Sequence, residues 1–154
     1  MSSPKDVQEF LEEHGVRSTL HPVDERGARA QGAAEALGVS LPQIVKSLLF
    51  IADGKPVLVL VPGDRRADVQ RLKDHLNAQS VRIANRERVE QETGFGVGAV
   101  PPVGHARPIP TWLDERLMAH ETVYTSAGAK DRLLAIAPTD LLRVSDGQIA
   151  DITS

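Results

Sequence analysis

This sequence predicts a mixed α/β fold in which short helices flank a mixed sheet, and three observations carry that expectation. The hydrophobic period changes from helical to alternating near Val45. Asp53-Gly54 stands between two apolar runs, residues 45–52 and 56–61, where a hairpin turn belongs. Around that hairpin, short helical and strand-like patterns follow one another irregularly, unlike the even alternation of a doubly wound βαβ array.

Ser3 is the expected N-cap of a first helix with Pro4 at N1, an apolar stripe of Val7, Phe10 and Leu11, and a stop at Gly15. A short strand is expected over 16–23, then an alanine-rich helix over 28–37 closed by Gly38. Ser40-Leu41-Pro42-Gln43 opens one more short turn. Beyond the hairpin, Pro62-Gly63-Asp64 ends the second strand. Asp64 is read as the cap of a helix to Leu76, with Val69, Leu72 and Leu76 inward. A strand over 80–84 precedes a helix capped by Asn85 and closed at Gly94. Strands over 122–125 and 133–137, a one- or two-turn helix from Pro138 and an edge strand over 148–152 complete the chain. No repeat or linker divides it, so one domain over 1–154 is expected.

The 154 residues, 41% of them hydrophobic, can build one core without staples. Only Phe10, Phe50, Phe95, Trp112 and Tyr124 are aromatic, which leaves little for a base-stacking platform. The absence of cysteine excludes disulfides, thiolate metal sites and a cysteine nucleophile, and fits a reducing compartment. No signal-peptide pattern opens the chain. Apolar runs such as 57–61 are strand-sized, far short of the ~20 residues that span a bilayer. A soluble, cytoplasmic, monomeric chain with no membrane association is expected.

The net charge of −3 argues against a protein that coats nucleic acid. Residues 64–90, however, carry seven basic side chains against five acidic ones. Arg65, Arg66, Arg82, Arg86 and Arg88 belong to that stretch, which is either a phosphate-holding face or a solvated helix surface.

Several chemistries fail on spacing. Gly94-Phe95-Gly96-Val97-Gly98 follows a helix rather than a strand, and Pro101-Pro102 block the helix that would receive a pyrophosphate. No P-loop or GxSxG elbow occurs. His14, His21, His75, His105 and His120 are scattered, and none pairs with another at metal-ligand spacing, so no metal and no cofactor is expected.

Two features point to a small-molecule or acyl-group site. Lys46 lies inside the apolar strand Ile44-Val45-Lys46-Ser47-Leu48-Leu49-Phe50-Ile51, where it either snorkels to water or faces a cleft. Alternation puts Ile44, Lys46, Leu48 and Phe50 on one face and Val45, Ser47, Leu49 and Ile51 on the other. The second feature is the loop Gly96-Val97-Gly98-Ala99-Val100-Pro101-Pro102-Val103-Gly104. It is either a stiffened connection or a set of backbone amides aimed at a developing oxyanion.

The order Val45-Lys46-Ser47-Leu48, then the GxxxP element Gly98-Ala99-Val100-Pro101-Pro102 with Val103-Gly104, resembles the YbaK/ProX family. So do Ser126-Ala127-Gly128-Ala129-Lys130 and the segment through Pro138-Thr139-Asp140-Leu141. Members are trans-editing aminoacyl-tRNA deacylases related to the insertion domain of bacterial prolyl-tRNA synthetase. The resemblance covers roughly residues 7–149. It implies that family's single-domain fold, with a mixed, mostly antiparallel sheet flanked by short helices. It also implies metal-independent hydrolysis of the ester on a mischarged tRNA carrying a small amino acid, with a synthetase as a further partner. Lys46, Gly98 and Ala99 become the catalytic set. Val100, Pro101, Pro102, Ser126 and Gly128 become substrate-binding residues, and Arg65, Arg66, Arg82, Arg86 and Arg88 tRNA contacts. Where family members carry a second glycine and a serine in the loop, this chain has Ala99 and Pro101, and Pro101 has no amide to donate. No residue stands out as a general base, so the implied mechanism is positioned water attack assisted by the substrate's own ribose hydroxyl. The alternative is a non-catalytic module that binds aminoacyl-adenylate-like ligands or a synthetase.

Overall fold

The helices begin and end where capping chemistry dictates. A computed structural model describes residues 3–23 and 30–154. In α1 (Pro4–Glu13) the Asp6 carboxylate accepts the Ser3 amide at 2.8 Å, satisfying a donor that the first turn leaves unpaired. β1 (Thr19–Pro22) is shorter than the expected 16–23. α2 (Ala30–Leu37) covers the described part of the alanine-rich helix, and positions 28 and 29 lie outside the described residues. A 3-10 turn at Leu41–Gln43 leads into the hairpin of β2 (Val45–Ala52) and β3 (Lys55–Pro62). Asp53 and Gly54 at its tip both have positive φ, 47° and 83°, as a two-residue hairpin turn requires.

The next helix differs from expectation. α3 (Val69–Leu76) is capped by Asp68, whose carboxylate accepts the amides of Gln70 and Arg71 at 3.0 and 3.1 Å. Asp64 is not its cap, because the chain stays extended far enough for Ala67 to bridge Thr153 near the C-terminal end. Leu72 is fully buried, whereas Val69 is 40% exposed rather than inward. After β4 (Val81–Ile83), Asn85 caps α4 (Arg86–Thr93) by accepting the Arg88 amide at 2.8 Å, and Gly94 closes it at φ 83°.

β5 (Thr111–Asp114) has no counterpart among the expected elements, since prolines at 108 and 110 disguise four residues of strand. A 3-10 turn follows at Glu115–Ala119, then β6 (Val123–Ser126), β7 (Arg132–Ile136), α5 (Pro138–Ser145) and β8 (Gln148–Ala150). The five-stranded sheet runs β4-β2-β3-β5-β8, and β1-β7-β6 form a three-stranded antiparallel one. β3–β5 and β5–β8 are parallel, so the larger sheet is mixed and β5 sits inside it. A parallel bridge between Ile44 and Tyr124 joins the two sheets.

Alternation along β2 divides its side chains as expected. Val45, Leu49 and Ile51 enter the main core with Leu58, Leu60 and Leu113. Leu48 and Phe50 pack with Val59, Val61 and Leu72 on the other face. Beneath this, Asp114 is fully buried. It accepts the Ile152 amide, the Thr153 hydroxyl and an Arg116 guanidinium N–H, each at 3.2 Å. Arg116 also donates to Asp151 at 2.8 Å, and that hydrogen bond holds the Asp151 carboxyl below the usual carboxylate range. The C-terminal residues thus laid down pair in turn with 66–68. The Asp68 amide donates to the Ile152 carbonyl at 2.8 Å and the Ser154 amide to the Arg66 carbonyl at 3.0 Å.

Asp114→Ala is expected to destabilise the fold by about 1–3 kcal/mol, the cost of leaving the buried Ile152 donor unpaired. Asp114→Asn, which keeps one acceptor, should cost less. Urea unfolding of the two variants checks this, and equal midpoints for wild type and Asp114→Ala would refute it.

Candidate active site

β2 is paired with β3 along its whole length but with β4 only at Phe50, Ile51 and Ala52. Between the Ile44–Tyr124 bridge and the Phe50–Ile83 pair, its outer edge is open. Antiparallel alternation decides which backbone groups face that gap. The Ile44 carbonyl accepts Gly63 N–H on the β3 side, and the Leu49 carbonyl accepts Ala84 N–H on the β4 side. Ser47, in phase with Leu49, therefore turns its amide and carbonyl toward the open edge.

A cleft of about 240 Å³ occupies this gap. β2 contributes Lys46, Ser47 and Leu48, the loop after α4 contributes Val97, Gly98 and Val100, and α2 contributes Ala30 and Ala33. Its remaining wall is the β6–β7 hairpin, with Ser126, Ala129, Lys130 and Leu133. Gly98, Val100 and Ser126 thus line one space with Lys46. Ala99, Pro101, Pro102 and Gly128 stand behind that wall rather than on it. A Cβ on Gly128 would lie 2.9 Å from the Phe95 ring and 3.2 Å from the Pro4 nitrogen, so its bare backbone serves close packing at φ 98°.

Lys46 is half-buried. Its ammonium donates to the Arg65 carbonyl at 2.8 Å, which among the described residues uses one of its three donors. Burial pushes its pKa below the ordinary lysine value of 10.5, the Arg66 guanidinium adds to that, and Asp64 opposes it. Ser47 adds a buried hydroxyl that has no partner among the described residues.

The loop is held from behind. Phe95 is buried, and its amide donates to the Thr93 hydroxyl at 3.0 Å. The Ala106 amide donates back to the Thr93 carbonyl at 2.9 Å, closing the loop on its own root. Nε2 of His105 lies 2.6 Å from the Pro101 carbonyl oxygen, and since a carbonyl only accepts, that nitrogen carries the proton. Burial favours the neutral ring and pushes the His105 pKa down, while this hydrogen bond acts in the opposite direction. The Ala99 amide is engaged, donating to Gly96 at 3.0 Å. The amides of Gly98 and Val100 have no acceptor among the described residues.

The arginines separate into two groups. Arg65 and Arg66 adjoin Lys46, and Arg65 also donates to the Ser154 carbonyl at 3.3 Å. Arg82 pairs with Ile51, about 16 Å along β2 from Lys46 at ~3.3 Å per residue. Arg86 lies beyond it at the start of α4. Arg88 is committed to Glu92 at 3.0 Å and to the Gly54 carbonyl at 3.0 Å. Sequence reasoning gave no role to Lys130, His105 or the α2 alanines. Lys130 lay within a segment already singled out, but only the β6–β7 turn shows that it reaches the cleft.

Among the described residues no group of histidines and carboxylates is placed to hold a metal, and no helix is long and apolar enough to cross a membrane.

Known proteins resemble this chain. The chain is 29% identical over 126 residues to EbsC of Enterococcus faecalis, a protein provisionally named a Cys-tRNA(Pro)/Cys-tRNA(Cys) deacylase. The match covers 81% of this chain and 77% of EbsC. It is 52% identical over 68 residues to the proline–tRNA ligase of Nitratidesulfovibrio vulgaris strain DP4, covering 44% of this chain and 12% of the ligase. A crystal structure provisionally named a trans-editing enzyme for prolyl-tRNA synthetase superposes with a TM-score of 0.92 at 34% identity, covering 98% of this chain and 96% of that one. The model of the aminoacyl-tRNA editing domain matches residues 24–144, and this chain belongs to that family.

Proposed function

We propose that this chain deacylates mischarged tRNA, holding the aminoacyl end of the substrate in the β2 cleft. The observation that carries this reading is the meeting, in one cleft, of a half-buried lysine with unengaged loop amides. A positioned ester carbonyl needs both an anchor and donors for the oxyanion that forms on it. Lys46 is the anchor, with two ammonium protons left for the terminal nucleotide. The amides of Gly98 and Val100, and that of Ser47 on the open strand edge, are the available donors. Water adds to the carbonyl carbon, the bond to the ribose oxygen breaks, and the amino acid and free tRNA leave. The substrate's neighbouring ribose hydroxyl assists, because among the described residues no side chain in the cleft is placed as a general base.

The cleft favours a small side chain. Its volume lies below the ~300–1,000 Å³ of pockets that enclose whole drug-sized ligands, so the aminoacyl group and little more fits inside. Residues 1–154 act as one editing unit in the cytoplasm, where aminoacyl-tRNA is made. Arg65 and Arg66, beside Lys46, are the arginines placed to meet the acceptor end. The likeness to part of a proline–tRNA ligase supports work alongside a synthetase. The deciding experiment incubates the protein with a panel of mischarged tRNAs. Faster ester loss than in buffer on at least one small-residue tRNA supports the reading, and none on any overturns it.

Lys46→Ala is expected to lower single-turnover hydrolysis by about one to three orders of magnitude, the range for losing one positioned electrostatic contact. It should leave folding nearly intact, since the contact it removes is one hydrogen bond to the Arg65 carbonyl. Lys46→Arg should rescue only partly, because a planar guanidinium does not replace a compact ammonium. A collapse of melting temperature alongside lost hydrolysis would make the residue structural.

Burial lowers the lysine's pKa, so kcat/KM, corrected for spontaneous ester loss, should fall as pH rises through a value below 10.5. The charged form is the active one and is lost with increasing pH. Lys46→Arg, which stays charged, should lack that falling limb. A limb shared by both proteins would assign it to another group.

Hydrolysis is expected to survive EDTA. Loss of activity on chelation and its return with zinc would refute metal-independent chemistry.

A further inference from the structure

We propose that Lys130 binds the phosphate that links the terminal adenosine to the rest of the tRNA acceptor end. This rests on the deacylase reading and extends it to a second cationic residue at the cleft. Three observations lead there. Lys130 is exposed at the β6–β7 turn, on a different wall of the cleft from Lys46. Its Cε lies 3.6 Å from where a Cβ on Gly98 would stand, so its stem crosses the loop that holds the ester. Among the described residues no carboxylate pairs with it, and its neighbour Asp131 lies 3.9 Å from Arg132.

The size of the cleft supplies the rest. At about 240 Å³ it takes the aminoacyl group and leaves the nucleotide's 5′-phosphate outside. A compact ammonium on a flexible stem at that rim suits a phosphate oxygen, and needs no bidentate geometry. Lys46 is half-buried on β2 with one donor on the Arg65 carbonyl, which places its ammonium inside the cleft rather than at the rim where the phosphate lies. The two lysines therefore divide the work, with Lys46 inside the cleft and Lys130 at its mouth.

The test uses two small substrates with the same amino acid, 3′-O-aminoacyl-adenosine and its 5′-monophosphate, which differ only in the phosphate. Mischarged tRNA is the third substrate. Wild type should prefer the monophosphate by about three- to tenfold in kcat/KM, the range of an exposed charge-assisted hydrogen bond. Lys130→Gln should abolish that preference, slowing the monophosphate more than the unphosphorylated ester. On tRNA it should raise KM more than it lowers kcat. It should also flatten the log–log salt dependence by about 0.7, the contribution of one phosphate contact on a single strand. Lys130→Arg should keep most of the preference.

The assignment is overturned if wild type shows no preference for the monophosphate. Equal slowing of all three substrates in Lys130→Gln also overturns it, since that marks a loop-packing role. A wild-type protein inert toward mischarged tRNA and both esters removes the deacylase reading and this assignment with it. Activity on all three without a phosphate preference removes this assignment alone.

Discussion

A strand paired on one side for its whole length and on the other for only its last few residues is the constraint from which the site follows. β2 is held in register by β3 over all eight residues, so its alternation cannot slip. Because β4 stops at Phe50, the outer edge of β2 beyond it must find other cover. Buried backbone groups without partners are costly, and the molecule avoids that cost by leaving the edge to a solvated cleft. Loop, helix and hairpin surround the opening without pairing to it. An edge strand usually invites another strand; here the surrounding walls restrict access to something small.

The lysine on that strand is held by contacts that begin far away in sequence. Asp114 fixes Ile152 and Thr153, and those residues fix Ala67 and Asp68. The segment so placed presents the Arg65 carbonyl to the Lys46 ammonium. A buried carboxylate that makes three hydrogen bonds thus stands at the start of the chain of contacts that orients the site. The same contacts bring Arg66 close enough to depress the lysine's pKa. Structural and electrostatic roles therefore meet at one short segment, residues 64–68.

What the sequence made legible was local. Caps at Ser3 and Asn85, the Asp53-Gly54 turn and the alternation of β2 follow from nearest-neighbour chemistry, and the structure agrees with each. The union of Lys46, Gly98 and Ser126 was legible only as a resemblance, since no spacing rule connects residues so far apart. What was not legible was non-local. Asp64 reads as the cap in the sequence, and the bridge from Ala67 to Thr153, which keeps the chain extended past it, leaves that role to Asp68. β5 has four residues, ends in an acid and follows two prolines, so its place inside the sheet depends on partners on both sides. The basic stretch of 64–90 looked like one face, yet β2 carries its two ends apart.

The walls also say what kind of discrimination this site can perform. Ala30 and Ala33 on α2 and Leu133 on β7 line the cleft with apolar atoms, and Ala33 is fully buried, so that part of the wall has no room to recede. A wall of this kind excludes by size. It accepts any side chain below its limit and gains only ~1–3 kcal/mol per methylene among those that fit. Fine selection among small residues must then come from polar groups. Ser47 supplies one, a buried hydroxyl with no partner among the described residues. An unpaired buried hydroxyl is unfavourable until a ligand group meets it. A substrate group that satisfies it removes that penalty by forming the hydrogen bond.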